Sequence, residues 1–403
     1  MARLPDGERP PADGALPAAA LRSLGAPERP FGVYVHVPYC ASVCGYCDYN
    51  TYIPGEAAPA GFAPAVEAEL DLARAVLGDA APPAQTVFLG GGTPTLLAPA
   101  ELAQILEAIR ARFGLAPGAE VTTEANPESV DPVALAALRE AGFTRISLGM
   151  QSAAPHVLET LDRHHTPGRA VAAAREARAA GFEHVSLDLI YGTPGESAAD
   201  WRLSLETALQ AEPDHVSAYS LIVEPGTRLA ARVRRGELPA PDDDVLADRY
   251  ETTEAVLAAA GLHWYEVANW TRTDADRCHH NMGYWAGGDW WGVGPGAHSH
   301  VGGVRWWNVL HPTRWTAMLE EGRSPAAGRE QPDDDGARLE HVMLAVRLKE
   351  GLVLDDLDHD ARATAAQFAQ DGLVEPEPLS HGRVVLTVRG RLLADRVTLA
   401  LAG

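Results

Sequence analysis

The stretch "YVHVPYCASVCGYCDYNTY", residues 34–52, holds three of the four cysteines in a chain of 403 residues. Cys40, Cys44 and Cys47 fall within eight residues, and no fourth thiol stands near them. Three arrangements could use thiols so placed. A structural zinc site takes four nitrogen or sulfur ligands, so this loop would need a further ligand, and His36 is the nearby candidate. Disulfides leave one thiol over and are disfavoured in a reducing compartment. An iron–sulfur cubane has four irons, each ordinarily held by a thiolate. Three cysteines leave one iron open, and an open position on a metal is where a substrate or cofactor binds. The spacing C-x3-C-x2-C lets one loop grip three corners. The cluster reading therefore explains the missing fourth cysteine and is preferred.

The rest of the chain narrows the class. Hydrophobic residues make up 46% of it, enough for a sizeable core. The net charge of -22 argues against binding a phosphate backbone and fits a soluble surface, so no nucleic-acid partner is expected. Four cysteines in so long a chain are not a disulfide scaffold. No apolar run approaches the length of a membrane span, and no secretory signal pattern opens the sequence. The expectation is a cytoplasmic protein with reduced thiols.

Short apolar stretches alternate with helical periods. "GVYVHVP" (32–38), "TVFLG" (86–90), "VTTEA" (121–125), "RISLGM" (145–150), "VSLDLIYG" (185–192) and "HVSAYSL" (215–221) read as strands. Helical patterns lie between them at 62–77, 99–113, 131–141, 168–180 and 198–211. Strands separated by helices imply a parallel α/β sheet with right-handed crossovers. Six units are fewer than a closed eight-fold barrel needs, so the fold expected is a partial (βα)6 barrel over 31–240, with an open doubly wound sheet as the alternative. Residues 1–30, rich in Pro and Ala, read as a disordered extension. Residues 241–321 read as a barrel extension, with a helix at 242–260, a strand at 263–270 and an irregular functional loop at 278–300. Residues 322–336 read as a linker. Two helices and a hairpin at 383–395 give 337–403 the look of a small winged-helix-like domain.

Several positions stand where chemistry would need them. "GGGTPT" (90–95) follows a strand, and only glycine lets a backbone approach a ligand so closely. Glu124 ends the third strand, at the reaction mouth of an α/β barrel. Gln151 ends the fourth strand, and Arg163 follows in "LDRHHT". Asp188 lies inside the fifth, where a buried acid requires a partner.

The cysteine spacing, with aromatic Tyr46 before the last cysteine, resembles the radical S-adenosylmethionine superfamily. The resemblance implies that S-adenosylmethionine chelates the open iron of a [4Fe–4S] cluster. It also implies that Tyr34, Tyr46, Gly91, Gly92, Thr93, Glu124, Gln151, Arg163 and Asp188 line that site. Within the superfamily the chain is similar to proteins of the coproporphyrinogen oxidase type. The oxidase motif usually continues to a further cysteine, where this chain has Tyr49, and residues 1–30 do not look like the oxidase's N-terminal arm. "HNMGYW" (280–285) instead resembles the hallmark of the HemW haem chaperone family. That resemblance implies haem as cargo, held by His280, Asn281, Tyr284 and Trp285, with Cys278, His279 and His298 as rival ligands. It further implies client haem proteins, membrane respiratory enzymes among them, a location reaching the membrane periphery, a role for the cluster in dimer formation or haem transfer, and no porphyrin oxidation. No C-x-x-C-H pattern for covalent haem is present. The enzyme alternative is radical decarboxylation of coproporphyrinogen III.

Overall fold

A computed structural model describes residues 4–26, 29–54 and 61–403. Six parallel strands form its centre: β1 (Phe31–Val37), β2 (Ala84–Gly91), β3 (Leu115–Ala125), β4 (Arg145–Gln151), β5 (His184–Tyr191) and β6 (His215–Ser220). Each pairs with the next in sequence order. A short α1 (Ala18–Arg22) precedes them. The crossovers carry α2 (Phe62–Leu77), α3 (Pro99–Phe113), α4 (Pro132–Ala141), α5 (Pro155–Thr160), α6 (Arg169–Ala179) and α7 (Ala198–Leu209). Local chemistry sets the helix ends. The Asp131 and Ser197 side chains accept from Ala134 N and Asp200 N at the starts of α4 and α7. Gly142 closes α4 at φ 110°, a conformation side chains resist.

Strand alternation sorts the side chains onto two faces. Val33, Val35, Val37, Val87, Leu89, Ile146, Leu148, Val185, Leu187 and Leu189 are buried in the main core with the crossover helices. Full burial of each such side chain contributes roughly 1.5–3 kcal/mol. The alternate positions turn towards a central cavity and are polar or small: Tyr34, Thr122, Glu124, Arg145, Ser147, Gly149, Ser186, Asp188, His215 and Ser217.

The sheet stays open, as a partial barrel must. After β6 come α8 (Arg228–Arg234), α9 (Asp243–Ala259), β7 (His263–Glu266) and β8 (Asn269–Thr271). Then follow α10 (His279–Trp285), β9 (Asp289–Val293), β10 (His298–Val301), β11 (Val304–Asn308), α11 (Pro312–Glu320) and β12 (Ala326–Glu330). The order across the sheet is β12-β11-β10-β9-β1-β2-β3-β4-β5-β6-β8-β7. The barrel and its extension thus share one sheet and one core.

Four sequence expectations change. The 278–300 segment is regular, containing α10, β9 and β10; its glycines hide the period, and Gly294 and Gly296 make the turn at φ 107° and 79°. The 322–336 linker contains β12, because its backbone completes the β11 edge. The described part of residues 1–30 is packed, whereas residues 1–3 and 27–28 lie outside the described residues. Glu8 and Arg329 exchange backbone hydrogen bonds of 2.9 and 3.0 Å, so this segment covers the β12 edge. The hairpin at 383–395 is instead β14 (Arg383–Val384), paired with β13 (Leu352–Val353), followed by α15. Thr387 ends the extended run because its hydroxyl caps that helix, accepting from Gly390 N at 2.9 Å. The remaining C-terminal elements are α12 (Asp334–Ala345), α13 (His359–Gln370), α14 (Pro376–Ser380), α15 (Val388–Leu392) and α16 (Ala394–Ala402). They enclose a second apolar core. Arg391 joins it to the barrel side, stacking 4.2 Å from the Trp264 ring and pairing with Glu254 at 3.0 Å.

Candidate functional site

The cysteine loop leaves the C-terminal end of β1, and its two ends are tied together. Tyr52 N donates to Pro38 O at 2.6 Å and Cys40 N to Tyr52 O at 3.0 Å. Asn50 anchors the loop, donating to Pro295 O and Leu310 O at 2.9 and 2.8 Å. His36 supports it from below. Its Nε2 donates to Asn50 O at 2.9 Å, and its Nδ1 accepts from the Tyr34 hydroxyl at 3.0 Å. Burial lowers the His36 pKa to about 4, so the ring is neutral. With both nitrogens engaged, His36 is not free to be a fourth zinc ligand.

The glycine loop after β2 laces onto the same exit. Gly92 N donates to Val37 O at 2.8 Å and Thr93 N to Tyr39 O at 2.7 Å. A Cβ at Gly92 would lie 2.5 Å from Tyr39 O, and one at Gly91 (φ 103°) would lie 2.5 Å from the His36 ring. Close backbone approach therefore demands both glycines. The amides of Gly91, Gly92 and Thr93 are all engaged inside the protein, Gly91 N with Glu124 Oε2 at 3.0 Å.

All three loop cysteines are free and line one cavity. The Thr93 hydroxyl reaches Cys40 Sγ at 3.7 Å, and Arg163 Nη1 reaches Cys44 Sγ at 3.9 Å. Burial raises the Cys40 pKa and pushes Cys47 up to about 12, so a nearby cationic centre is what would hold these groups as thiolates. Among the described residues, only His184, Asp214 and Asp276 bring three ligand atoms all within 4.8 Å of one another. At least one pair of loop sulfurs is therefore further apart than that. A single tetrahedral zinc would draw sulfurs to about 3.8 Å. As placed, the three thiols are not drawn together as one zinc ion would hold them.

The cavity, about 680 Å³, collects most of the sequence candidates. Cys40, Cys44, Cys47, Tyr34, Tyr46, Gly91, Gly92, Thr93, Glu124, Gln151, Arg163 and Asp188 all line it, and so do His280, Asn281 and Tyr284. Gln151 adopts φ 63° at a β4 irregularity, beside which Arg163 Nη2 donates to Gly149 O at 2.9 Å. Burial, then the neighbouring Asp188, raises Glu124 to about 7. Asp188 is also raised by burial, although the Ser217 and Ser147 hydroxyls oppose this; Ser147 donates at 2.9 Å. Both carboxyls line the cavity, where their oxygens can accept from ligand hydroxyls.

The opposite end of the cavity is closed by α10. Glu120 holds the start of this helix, accepting from His279 N at 3.1 Å and His280 N at 3.0 Å. Arg145 Nε donates to Glu120 at 2.9 Å. Burial pushes the Glu120 carboxyl up, but Arg145 and the two amides outweigh it, and the net shift is downward. His280 is 3% exposed. Its Nδ1 pairs with Thr86 Oγ1 at 2.8 Å and its Nε2 with the Tyr284 hydroxyl at 2.7 Å. Phe88 stacks on the ring, with centroids 5.1 Å apart. Gly32 makes room for it, since a Cβ there would lie 3.1 Å from the imidazole.

Comparison with known proteins places this architecture. The Radical SAM superfamily description matches residues 34–208. Over 381 residues, 94% of this chain and 96% of the other, the sequence is 56% identical to "Heme chaperone HemW" of Mycobacterium tuberculosis. The chain belongs to the HemW family. Its Bacillus subtilis relative of the same name is 31% identical over 379 residues, 92% of this chain and 98% of that one. The solved coproporphyrinogen III oxidase (HemN) of Escherichia coli, described as a radical SAM enzyme, superposes with a TM-score of 0.79. That likeness covers 97% of this chain and 94% of the other at 23% identity, and it concerns the fold.

Against the HemW family hallmark, Trp285 is the residue that the cavity does not include; it hydrogen-bonds the buried Glu266 instead, whose pKa burial raises to about 8. Of the rival ligands, Cys278 lies 3.8 Å from Glu120, while His279 and His298 are exposed. Sequence reading missed the inward partners Glu120, Arg145, Thr122, Ser147, Ser186, His215 and Ser217. The available signal was the two-residue alternation of polar side chains in "EVTTE", "RISLG", "VSLDL" and "HVSAYS". No helix among the described residues is long and apolar enough to cross a membrane.

Proposed function

We propose that this chain is a haem chaperone, binding haem through His280 and passing it to client haem proteins. Its barrel mouth would hold a [4Fe–4S] cluster on Cys40, Cys44 and Cys47, with S-adenosylmethionine beside it. The carrying observation is the 56% identity, over almost the whole length of both chains, to a protein named as a haem chaperone. The intact "HNMGYW" on α10 supports the reading. When bound, the cluster supplies one-electron chemistry and an open iron for the amino acid part of S-adenosylmethionine.

This chain's own residues suit the cargo role. Burial lowers the His280 pKa to about 4, so its ring is neutral near pH 7 and able to ligate iron. A ligating histidine needs one nitrogen on the metal and the other on a fixed partner. Thr86 provides that partner at Nδ1. Nε2 then becomes the ligating atom once the Tyr284 hydroxyl gives way. Tyr284 and Phe88 offer flat apolar faces beside it. The cluster is read as an aid to haem transfer or to pairing of two copies, and the clients as including membrane respiratory enzymes met at the membrane periphery from the cytoplasm.

Coproporphyrinogen dehydrogenation is the reading set aside. Its support is a likeness of fold at 23% identity, and Tyr49 stands where the oxidase motif usually continues with cysteine. The test has two arms. Haem-loaded chain is mixed with a haem-free acceptor protein, and the Soret band is followed from donor to acceptor. Reconstituted chain is also incubated anaerobically with coproporphyrinogen III, reductant and S-adenosylmethionine. Transfer without vinyl product is expected. Vinyl product, or haem that never leaves the chain, overturns the proposal.

A further inference from the structure

We propose that the floor of the barrel contains a carboxylate-binding subsite formed by Arg145 and Thr122. The two residues are register neighbours on β3 and β4, and both line the cavity. Arg145 is 1% exposed and Thr122 0%. Three of the Arg145 donor positions are engaged: Nε donates to Glu120, and Nη2 to Asp276 O and Arg277 O at 2.6 and 2.7 Å. Arg145 Nη1 has no partner among the described residues, and neither has Thr122 Oγ1.

An unpartnered buried guanidinium N–H is costly, and a buried hydroxyl without a partner adds to that cost. The polar side chains around them do not relieve it. Ser147 is bonded to Asp188, and Ser186 to His215. The open positions are the N–H donors of Nη1 and a hydroxyl that can donate as well as accept. A ligand seated there must bring acceptors.

Charge selects which acceptor. Glu120 partly offsets Arg145, but it also accepts from two α10 amides and faces the Cys278 thiol. Glu120 meets the guanidinium at Nε, which leaves the N–H groups of Nη1 without an anionic partner among the described residues. A carboxylate matches this arrangement, with one oxygen on Nη1 and the other on the Thr122 hydroxyl. Such a group has two sources: a propionate arm of haem, which would rest on the cargo role proposed above, or a free small carboxylate.

The test uses the full chain and Thr122→Val, with Thr122→Ser as the control that restores the hydroxyl. Oγ1 has no protein partner, so the valine variant should fold with a thermal midpoint no lower than that of the wild type. Haem and haem dimethyl ester are titrated by the Soret band, and carbon-13-labelled propionate by line broadening. If the haem arm is the ligand, Thr122→Val weakens haem about tenfold and leaves the dimethyl ester unaffected. If a free carboxylate is the ligand, only propionate binding weakens by that factor. The propionate arm decides the subsite even if the chain binds no haem, so the two proposals fail separately. Equal binding of all probes by wild type and Thr122→Val overturns the subsite, and the two polar groups then hold ordered water only.

Discussion

Thr86→Val tests the link between barrel and cargo helix at one atom. Thr86 is buried on β2, and its hydroxyl is the partner of His280 Nδ1 at 2.8 Å. Valine keeps the shape and removes that partner, leaving a buried imidazole nitrogen unpaired. Such a loss costs about 1–3 kcal/mol of stability. If Nε2 ligates haem iron, the same change removes the contact that fixes the ring's tautomer and orientation. Loss of such a supporting partner typically weakens metal binding by roughly 10–100-fold. The assays are the urea midpoint and a haem titration on the folded variant, with Thr86→Ser as the control. Both quantities should fall for valine and largely recover for serine. A valine variant destabilised by the expected amount that still binds haem like wild type would refute the reasoning, because the contact would then be structural alone.

Two further outcomes follow from the same geometry. Gly92→Ala puts a methyl group 2.5 Å from Tyr39 O; it should cost roughly 1–3 kcal/mol and lower the iron bound per chain after anaerobic reconstitution, whereas full iron loading would contradict the lacing of the two loops. Stability should peak between about pH 4.5 and 6.5, for reasons of opposite sign. Burial lowers His36 and His280 to about 4, so the unfolded chain binds more protons between pH 4 and 6.5 and stability falls on acidification through that window. Burial raises Glu69 to about 7 and Glu266 to about 8, so the folded chain keeps protons that the unfolded chain has lost, and stability falls as pH rises from 4.5 through those values. Above pH 6.5 only the carboxyl effect remains, and a urea midpoint that rose from pH 6.5 to 8 would count against it.

The parallel strands were legible because each carries an apolar outer face and several connecting helices, α2, α3 and α4 among them, stop at glycine. Helices 62–77 and 99–113 coincide with α2 and α3 for that reason. The cysteine loop was legible from spacing alone, since its chemistry is local. What could not be read depends on contacts distant in sequence. The Glu120–Arg145 pair holds α10 from more than a hundred residues away, and no local pattern marks it. The order of β9 and β10 was masked by glycines whose role appears only where the backbone packs on His36 and Asn50. The N-terminal segment lacks periodicity of its own and takes its shape from the β12 edge it covers. The placement of "HNMGYW" at the floor, opposite the cysteine mouth, also needed the assembled sheet. Only there do Thr86 and Gly32 meet His280.

The most direct measurement of the central claim is a haem titration of the full chain beside its His280→Ala variant, followed at the Soret band. One saturable site is expected in the wild type, with a spectrum of nitrogen-ligated iron that the variant loses. An alanine variant with the same spectrum and the same affinity would place the iron elsewhere and contradict it.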